Sequence, residues 1–185
     1  RVTGRVDCQE VPGCSGIASL WEKDPAAIPD PRRFTLPPAI VSPLQADGVF
    51  ELAAPPGEYY VGAFLRISPG PMMGPPRVGD QIFLTPNPDG EPQEVRVLAG
   101  QTVDAGIHGD AWRFSGLTDP AQTGISGQIL DANDQPVAGL LVFAFADAEL
   151  STHPQAVSNR SAATGNFILP LAKPGTVYLR ARGNY

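Results

Sequence analysis

Asp47-Gly48-Val49-Phe50-Glu51-Leu52-Ala53-Ala54-Pro55-Pro56-Gly57-Glu58-Tyr59-Tyr60-Val61 is the stretch that decides the architecture. A polar residue and a glycine open an alternating apolar run, and a proline-glycine pair separates it from an aromatic, β-branched one. Alternation of period two argues half-buried strands rather than helices. Asp47-Gly48 predicts a tight turn, and Pro56-Gly57 a type II turn in which proline fixes φ and glycine takes the positive φ that follows. The same punctuation returns as Thr164-Gly165-Asn166-Phe167-Ile168-Leu169, then Pro174-Gly175-Thr176-Val177-Tyr178-Leu179. Upstream, Gly4-Arg5-Val6-Asp7 and Ile17-Ala18-Ser19-Leu20 match Gly127-Gln128-Ile129-Leu130-Asp131 and Leu140-Leu141-Val142-Phe143. The chain therefore repeats one strand order twice.

Worked outward, the pattern predicts strands at 1–7, 16–22, 48–53, 58–66, 81–84, 93–98 and 102–107 in the first copy. The second copy has strands at 124–130, 140–146, 166–169 and 176–182, with a short helical candidate at 146–150. The expected class is all-β: two tandem antiparallel β-sandwiches of Ig-like or prealbumin-like type, seven strands to a complete copy. The boundaries are 1–109 for the first sandwich, 110–123 for a linker and 124–185 for the second sandwich. Composition agrees. The 185 residues include 20 Gly and 21 Pro, a density of helix breakers that favours short strands joined by turns. The longest apolar run, 137–146, is about half of what a membrane-spanning helix needs, so no membrane span is expected.

Cys8 and Cys14 flank Pro12-Gly13. A disulfide between them closes a short turn and contributes roughly 2–2.5 kcal/mol by the loop-entropy estimate; the alternative is two buried free thiols. The chain opens on Arg1 inside a strand-like pattern, which suggests that a preceding segment has been removed. Together these features point to an oxidising compartment, extracellular or at the cell surface.

In the second copy, Gly127-x-Ile129-x-Asp131 leads into Asp134-Gln135-Pro136-Val137-Ala138-Gly139 and an apolar strand. Thr-Gly-x-Phe-x-Leu and Pro-Gly-x-x-Tyr follow. This order resembles the carboxypeptidase regulatory-like domain, a relative of the transthyretin-like and Cna-B sandwiches. In the first copy, residues 95–107 look like that family's closing strand pair. The resemblance covers nearly the whole chain as two tandem copies. It implies accessory modules without active sites of their own. The first copy departs from the pattern where Cys8 to Cys14 stand in place of the Asp-Gln-Pro-Val-x-Gly turn, which supports the disulfide as a staple of that turn.

The formal net charge is −6, and the only lysines are Lys23 and Lys173. A nucleic-acid binder needs a dense basic face, so nucleic acid is excluded as a partner. The acid is uneven: residues 1–110 carry 8 basic and 14 acidic side chains, residues 111–185 carry 5 of each, and the C-terminal end with Arg180 and Arg182 is locally positive. Such asymmetry favours head-to-tail contacts.

No nucleophile elbow, phosphate loop or zinc-protease motif occurs. His108 and His153 lack ligand spacing, and no catalytic, cofactor or metal residues are expected. Asp131, Asn133 and Asp134 are read as a polar turn in preference to a weak calcium site. Asp89 and Glu91 lie in a proline-rich stretch ill suited to acid–base catalysis, and Asn87-Pro88-Asp89-Gly90 reads as a hairpin turn. Four residues stand out as candidate partner contacts. Met72 and Met73 tip the long 68–92 connection, and Trp112 and Phe114 sit in the linker, where they plug the junction between sandwiches or stack on a ligand.

Spacing also predicts that the second copy lacks its C-terminal strands, because the first copy's closing pair has no counterpart before Tyr185. An open sandwich exposes core and unpaired backbone. A fragment, a shortened variant and strand donation by another chain all explain it. The resulting expectation is a secreted non-enzymatic structural or assembly protein, such as an extracellular filament or surface-coat subunit. It would self-associate head-to-tail, with or without strand complementation, or bind another extracellular protein. The alternative is a carbohydrate-binding accessory module of a larger secreted enzyme, which exposed Trp21, Tyr59 and Tyr60 would favour.

Overall fold

The computed structural model describes residues 1–8, 11–24, 28–29, 36–67, 69–84, 92–109, 111–116 and 123–183. The protein is all-β, with several sheets and no α-helix among the described residues. It divides into two compact units, the first carrying nine strands and the second five among those residues.

In the first unit, β1 (Val2–Val6) lies between β4 (Val49–Leu52) and β8 (Val103–His108). The larger sheet runs β3 (Ile40–Pro43), β2 (Gly16–Glu22), β5 (Gly57–Leu65), β6 (Gln81–Phe83) and β9 (Trp112–Arg113), with β7 (Glu94–Val97) also on β5. Val2, Val6, Phe50 and Leu52 from one sheet and Leu20, Val61, Ala63, Leu65 and Phe83 from the other join a single buried cluster. β2 from Gly16 to Trp21 and β5 from Tyr59 to Leu65 are buried at every position rather than at alternate ones. Successive side chains point to opposite faces of a sheet, so burial at consecutive positions means that both faces of these strands are covered.

In the second unit, β10 (Gly124–Gln128) pairs with β13 (Asn166–Pro170), while β11 (Leu141–Phe145) lies between β12 (Ala156–Val157) and β14 (Tyr178–Arg182). Val142, Ala144, Ala156, Phe167 and Leu169 form its core.

The repeat read from the sequence is a repeat of register. Gly4 lies opposite Phe50 and Gly127 opposite Phe167. A Cβ at Gly4 would come within 2.5 Å of the Phe50 ring, and one at Gly127 within 2.8 Å of the Phe167 ring, so each glycine makes room for an aromatic side chain. Val6 N–H donates to Gly48 O at 3.0 Å, as Ile129 N–H donates to Gly165 O at 3.0 Å. Gly48 and Gly165 have φ of 85° and 76°, and a Cβ on either would collide with the carbonyl of Val6 or Ile129. Glycine is required there on both counts. Leu20 faces Val61 and Ile40, as Ala144 faces Leu179 and Ala156.

Several expectations are corrected. β1 and β8 pair in parallel, with a register shift between Thr3 and Arg5, so the first unit is not purely antiparallel. The turn before β5 does not need a positive φ at Gly57, which is the first residue of the strand. Residues 146–150 form no helix. The Asp147 carboxylate accepts the N–H and hydroxyl groups of both Ser151 and Thr152, and Leu150 sits at φ 55°. These side-chain bonds compete with a helix and hold the Asp147 carboxyl well below the usual carboxylate range, Thr152 being the main cause. Trp112 and Arg113, expected in the linker, instead form β9 on β6.

The two units differ at matching positions. β1 has partners on both sides and β5 is paired by β2, β6 and β7; among the described residues β10 pairs only with β13 and β14 only with β11. Val61 of β5 is 0% exposed and its counterpart Leu179 of β14 is 43% exposed.

Candidate functional site

The connection from β5 to β6 is pinned by a buried ion pair. Arg66 follows the last residue of β5 and Asp80 precedes β6, so the two strand ends bring the side chains together. Arg66 Nη1 donates to Asp80 Oδ2 at 2.6 Å, with side-chain exposures of 3% and 0%. The second carboxylate oxygen accepts Ile67 N–H at 3.1 Å, and Oδ2 also accepts Arg77 N–H at 2.9 Å. Arg66 Nε donates to Met72 O at 3.0 Å, and its guanidinium lies 4.7 Å from the centre of the Phe64 ring. Arg77 donates to the carbonyls of Pro69 and Pro71. A proline-rich loop with few amides of its own is thus held by two arginines that supply the donors.

Three of the four candidate contact residues are tied to this arrangement. Met72 is bound through its carbonyl to Arg66. Phe114 is buried, and its N–H donates to Asp80 O at 2.8 Å while its carbonyl accepts Gly79 N–H at 2.8 Å. Trp112 lies opposite Ile82. Met72 and Met73 are 36% and 37% exposed and Trp112 is 43% exposed, so these three present apolar surface while Phe114 does not. The arginine–aspartate pair escaped sequence reasoning. Its signal was an Arg and an Asp directly flanking two strands, either side of a proline-rich stretch.

Cys8 and Cys14 are disulfide-bonded with Cα atoms 5.3 Å apart. Gly13 between them takes φ 67° in a short 3-10 turn, Pro12–Cys14. Among the described residues no group of three or more His, Cys, Asp or Glu side chains is placed to hold a metal ion. Asp131 works as a turn residue: its Oδ1 accepts Asn133 N–H at 2.8 Å and Gln135 N–H at 2.9 Å, and the Gln135 bond leads in lowering its pKa. The Asp89, Glu91 and Asn87–Gly90 readings lie outside the described residues. Lys23 donates to Glu94 at 2.7 Å, which raises its pKa, and joins β7 to the end of β2 by a surface ion pair. No helix among the described residues is long and apolar enough to cross a membrane.

His108 ends β8, fully buried, with its ring 6.0 Å from that of Phe50. Burial lowers its pKa below the ordinary 6.5. As pH falls, the unfolded chain therefore takes up this proton before the folded one, and stability declines from about pH 6.5 downward until the folded pKa is passed. Thermal melts at about pH 7 and about pH 5 should show a larger loss in the native protein than in His108→Gln. Equal losses would remove His108 from the pH response.

Trp21, Tyr59 and Tyr60 are buried. Burial pushes the Tyr59 pKa up, and Tyr59 Oη donates to Pro55 O at 3.1 Å. Their rings belong to the packing of the first unit. No family model, no curated protein and no solved structure matches this chain.

Proposed function

We propose that this chain is a secreted, non-enzymatic structural protein, built as a tandem of carboxypeptidase regulatory-like β-sandwiches and working through protein–protein contacts in an extracellular filament or surface coat. The observation that carries this reading is the contrast between β5, buried in its unit, and β14, exposed at Tyr178 to Ala181 in the other. Each ~100 Å² of apolar surface left in water forgoes about 2.5 kcal/mol, a large share of a domain's stability. A protein that works among partners recovers that energy on assembly. The disulfide supports an oxidising location. The burial of Trp21, Tyr59 and Tyr60 supports this reading over sugar binding, which needs exposed rings. The acidic first half and basic C-terminal strand favour a head-to-tail contact, which propagates unless its rotation closes a ring.

Sedimentation velocity and electron microscopy of the native material at micromolar concentration test the reading. Concentration-dependent, salt-sensitive oligomers are expected. A monodisperse monomer that recruits no protein partner would refute it.

A further inference from the structure

With Cys8 and Cys14 joined to each other, the sulfurs left free to react are those of the chain's two methionines, Met72 and Met73. Both lie in the connection from β5 to β6 and are 36% and 37% exposed, so a small oxidant reaches either side chain. They differ in what they touch. The Ser15 hydroxyl donates to Met72 Sδ at 3.9 Å, and among the described residues no donor reaches Met73 Sδ. Ser15 is placed by the sheet. Gly16 lies opposite Leu65, and the pairing carries on one residue further, where Arg66 N–H donates to Ser15 O at 2.7 Å. Arg66 Nε in turn donates to Met72 O at 3.0 Å, so one buried arginine holds the main chain of both residues while the methionine side chain spans the gap to the hydroxyl.

We propose that Met72 is an oxidation site for hydroperoxides, at which sulfoxide formation latches the β5–β6 connection to Ser15. In the step, a sulfur lone pair attacks the hydroxyl oxygen of the hydroperoxide, the O–O bond breaks and a sulfur–oxygen bond forms. The proton of that oxygen passes to the leaving oxygen, which departs as water or an alcohol. Sulfur gives up two electrons and the peroxide gains them. A thioether is a weak acceptor, whereas the sulfoxide is a polar group. The 3.9 Å between Met72 Sδ and Ser15 Oγ is wide enough to hold the new oxygen and leaves it within the reach of an ordinary O–H···O bond, about 2.5–3.0 Å. The serine hydroxyl thus exchanges a weak acceptor for a strong one while Arg66 keeps the main chain in place. Met73 has no such donor, so its sulfoxide adds polarity without a new bond.

The test treats the folded 185-residue chain with dilute hydrogen peroxide, reads the modification by peptide mass spectrometry and reads the latch by trypsin cleavage after Arg77. Arg77 donates to the carbonyls of Pro69 and Pro71, so trypsin engages its side chain only when the connection opens, and no methionine flanks the bond that is cut. Met72 is expected to gain one oxygen. The oxidised chain should then be cut after Arg77 about two- to tenfold more slowly than the reduced chain, the range that one net hydrogen bond supports when cleavage follows opening. Ser15→Ala and Met72→Leu should each remove the slowing, and the oxygen gained by Met73 in both variants confirms the treatment. Methionine sulfoxide reductases should restore the faster cleavage in the unaltered chain, a readout that does not depend on the folding of any variant. A Met72 left unmodified under conditions that oxidise free methionine overturns the proposal. Cleavage that is unchanged or faster after oxidation overturns it too, as does slowing that persists in Ser15→Ala. Slowing that persists in Met72→Leu overturns it in favour of Met73. Each of these outcomes leaves the assembly reading untouched.

Discussion

Asp80→Ala is expected to destabilise the first unit by about 3–5 kcal/mol, because it removes the buried carboxylate to which the buried Arg66 guanidinium donates. The same change removes the acceptors of Ile67 N–H and Arg77 N–H, so three donors lose a partner at once. Urea denaturation followed by tryptophan fluorescence measures the loss. Arg66→Met in the Asp80→Ala background should restore part of it, since no unpaired charge is then buried and residues in one network do not act additively. A double variant as unstable as the sum of the two singles would show that the ion pair is not the reason the loop holds. Proteolysis should report the same event locally, with cleavage near Met72 rising in Asp80→Ala.

Phe50→Ala carries the other large expected effect, about 3–5 kcal/mol. Phe50 is fully buried, packs against Gly4 and belongs to the cluster shared by both sheets of the first unit. Its removal leaves an enclosed cavity with little room to relax. Phe167→Ala deletes the corresponding ring of the second unit and should cost less, because Phe167 is 8% exposed and its core borders the exposed face of β14. Chemical denaturation of the two variants decides the comparison. An equal or larger cost at Phe167 would mean that the second core is as closed as the first, and would weaken the argument for a partner on β14.

The repeat was legible because its signals are local. Gly48 and Gly165 are needed where their turns approach a neighbouring carbonyl, and Gly4 and Gly127 where a ring crosses the strand, so glycine spacing carries the register. The strands missed by alternation are Ile40–Pro43, Trp112–Arg113 and Ala156–Val157. Trp112–Arg113 and Ala156–Val157 have two residues each, too few to show a period, and exist because β6 and β11 offer an edge. The parallel pairing of β1 with β8 joins segments about a hundred positions apart, and strand direction across such a gap leaves no trace in composition. Of the candidate contact residues, Met72 and Trp112 were identifiable as apolar groups in connecting segments. That Phe114 turns inward depends on its backbone bonds to Gly79 and Asp80, which no local pattern encodes.

By itself the sequence determined the all-β class and the twofold recurrence of strand order, and it favoured the pairing of Cys8 with Cys14 that the structure contains. Each follows from short-range constraints: alternation of side chains, turn stereochemistry, and two thiols held close by a glycine turn. Tertiary structure alone decided which copies of a strand are covered. Val61 and Leu179 are both apolar residues in matching strands, yet one donates its amide to Gln93 inside a core and the other faces outward. The difference lies in the neighbours that long-range pairing brings to each edge, and burial is a property of those neighbours rather than of the residue.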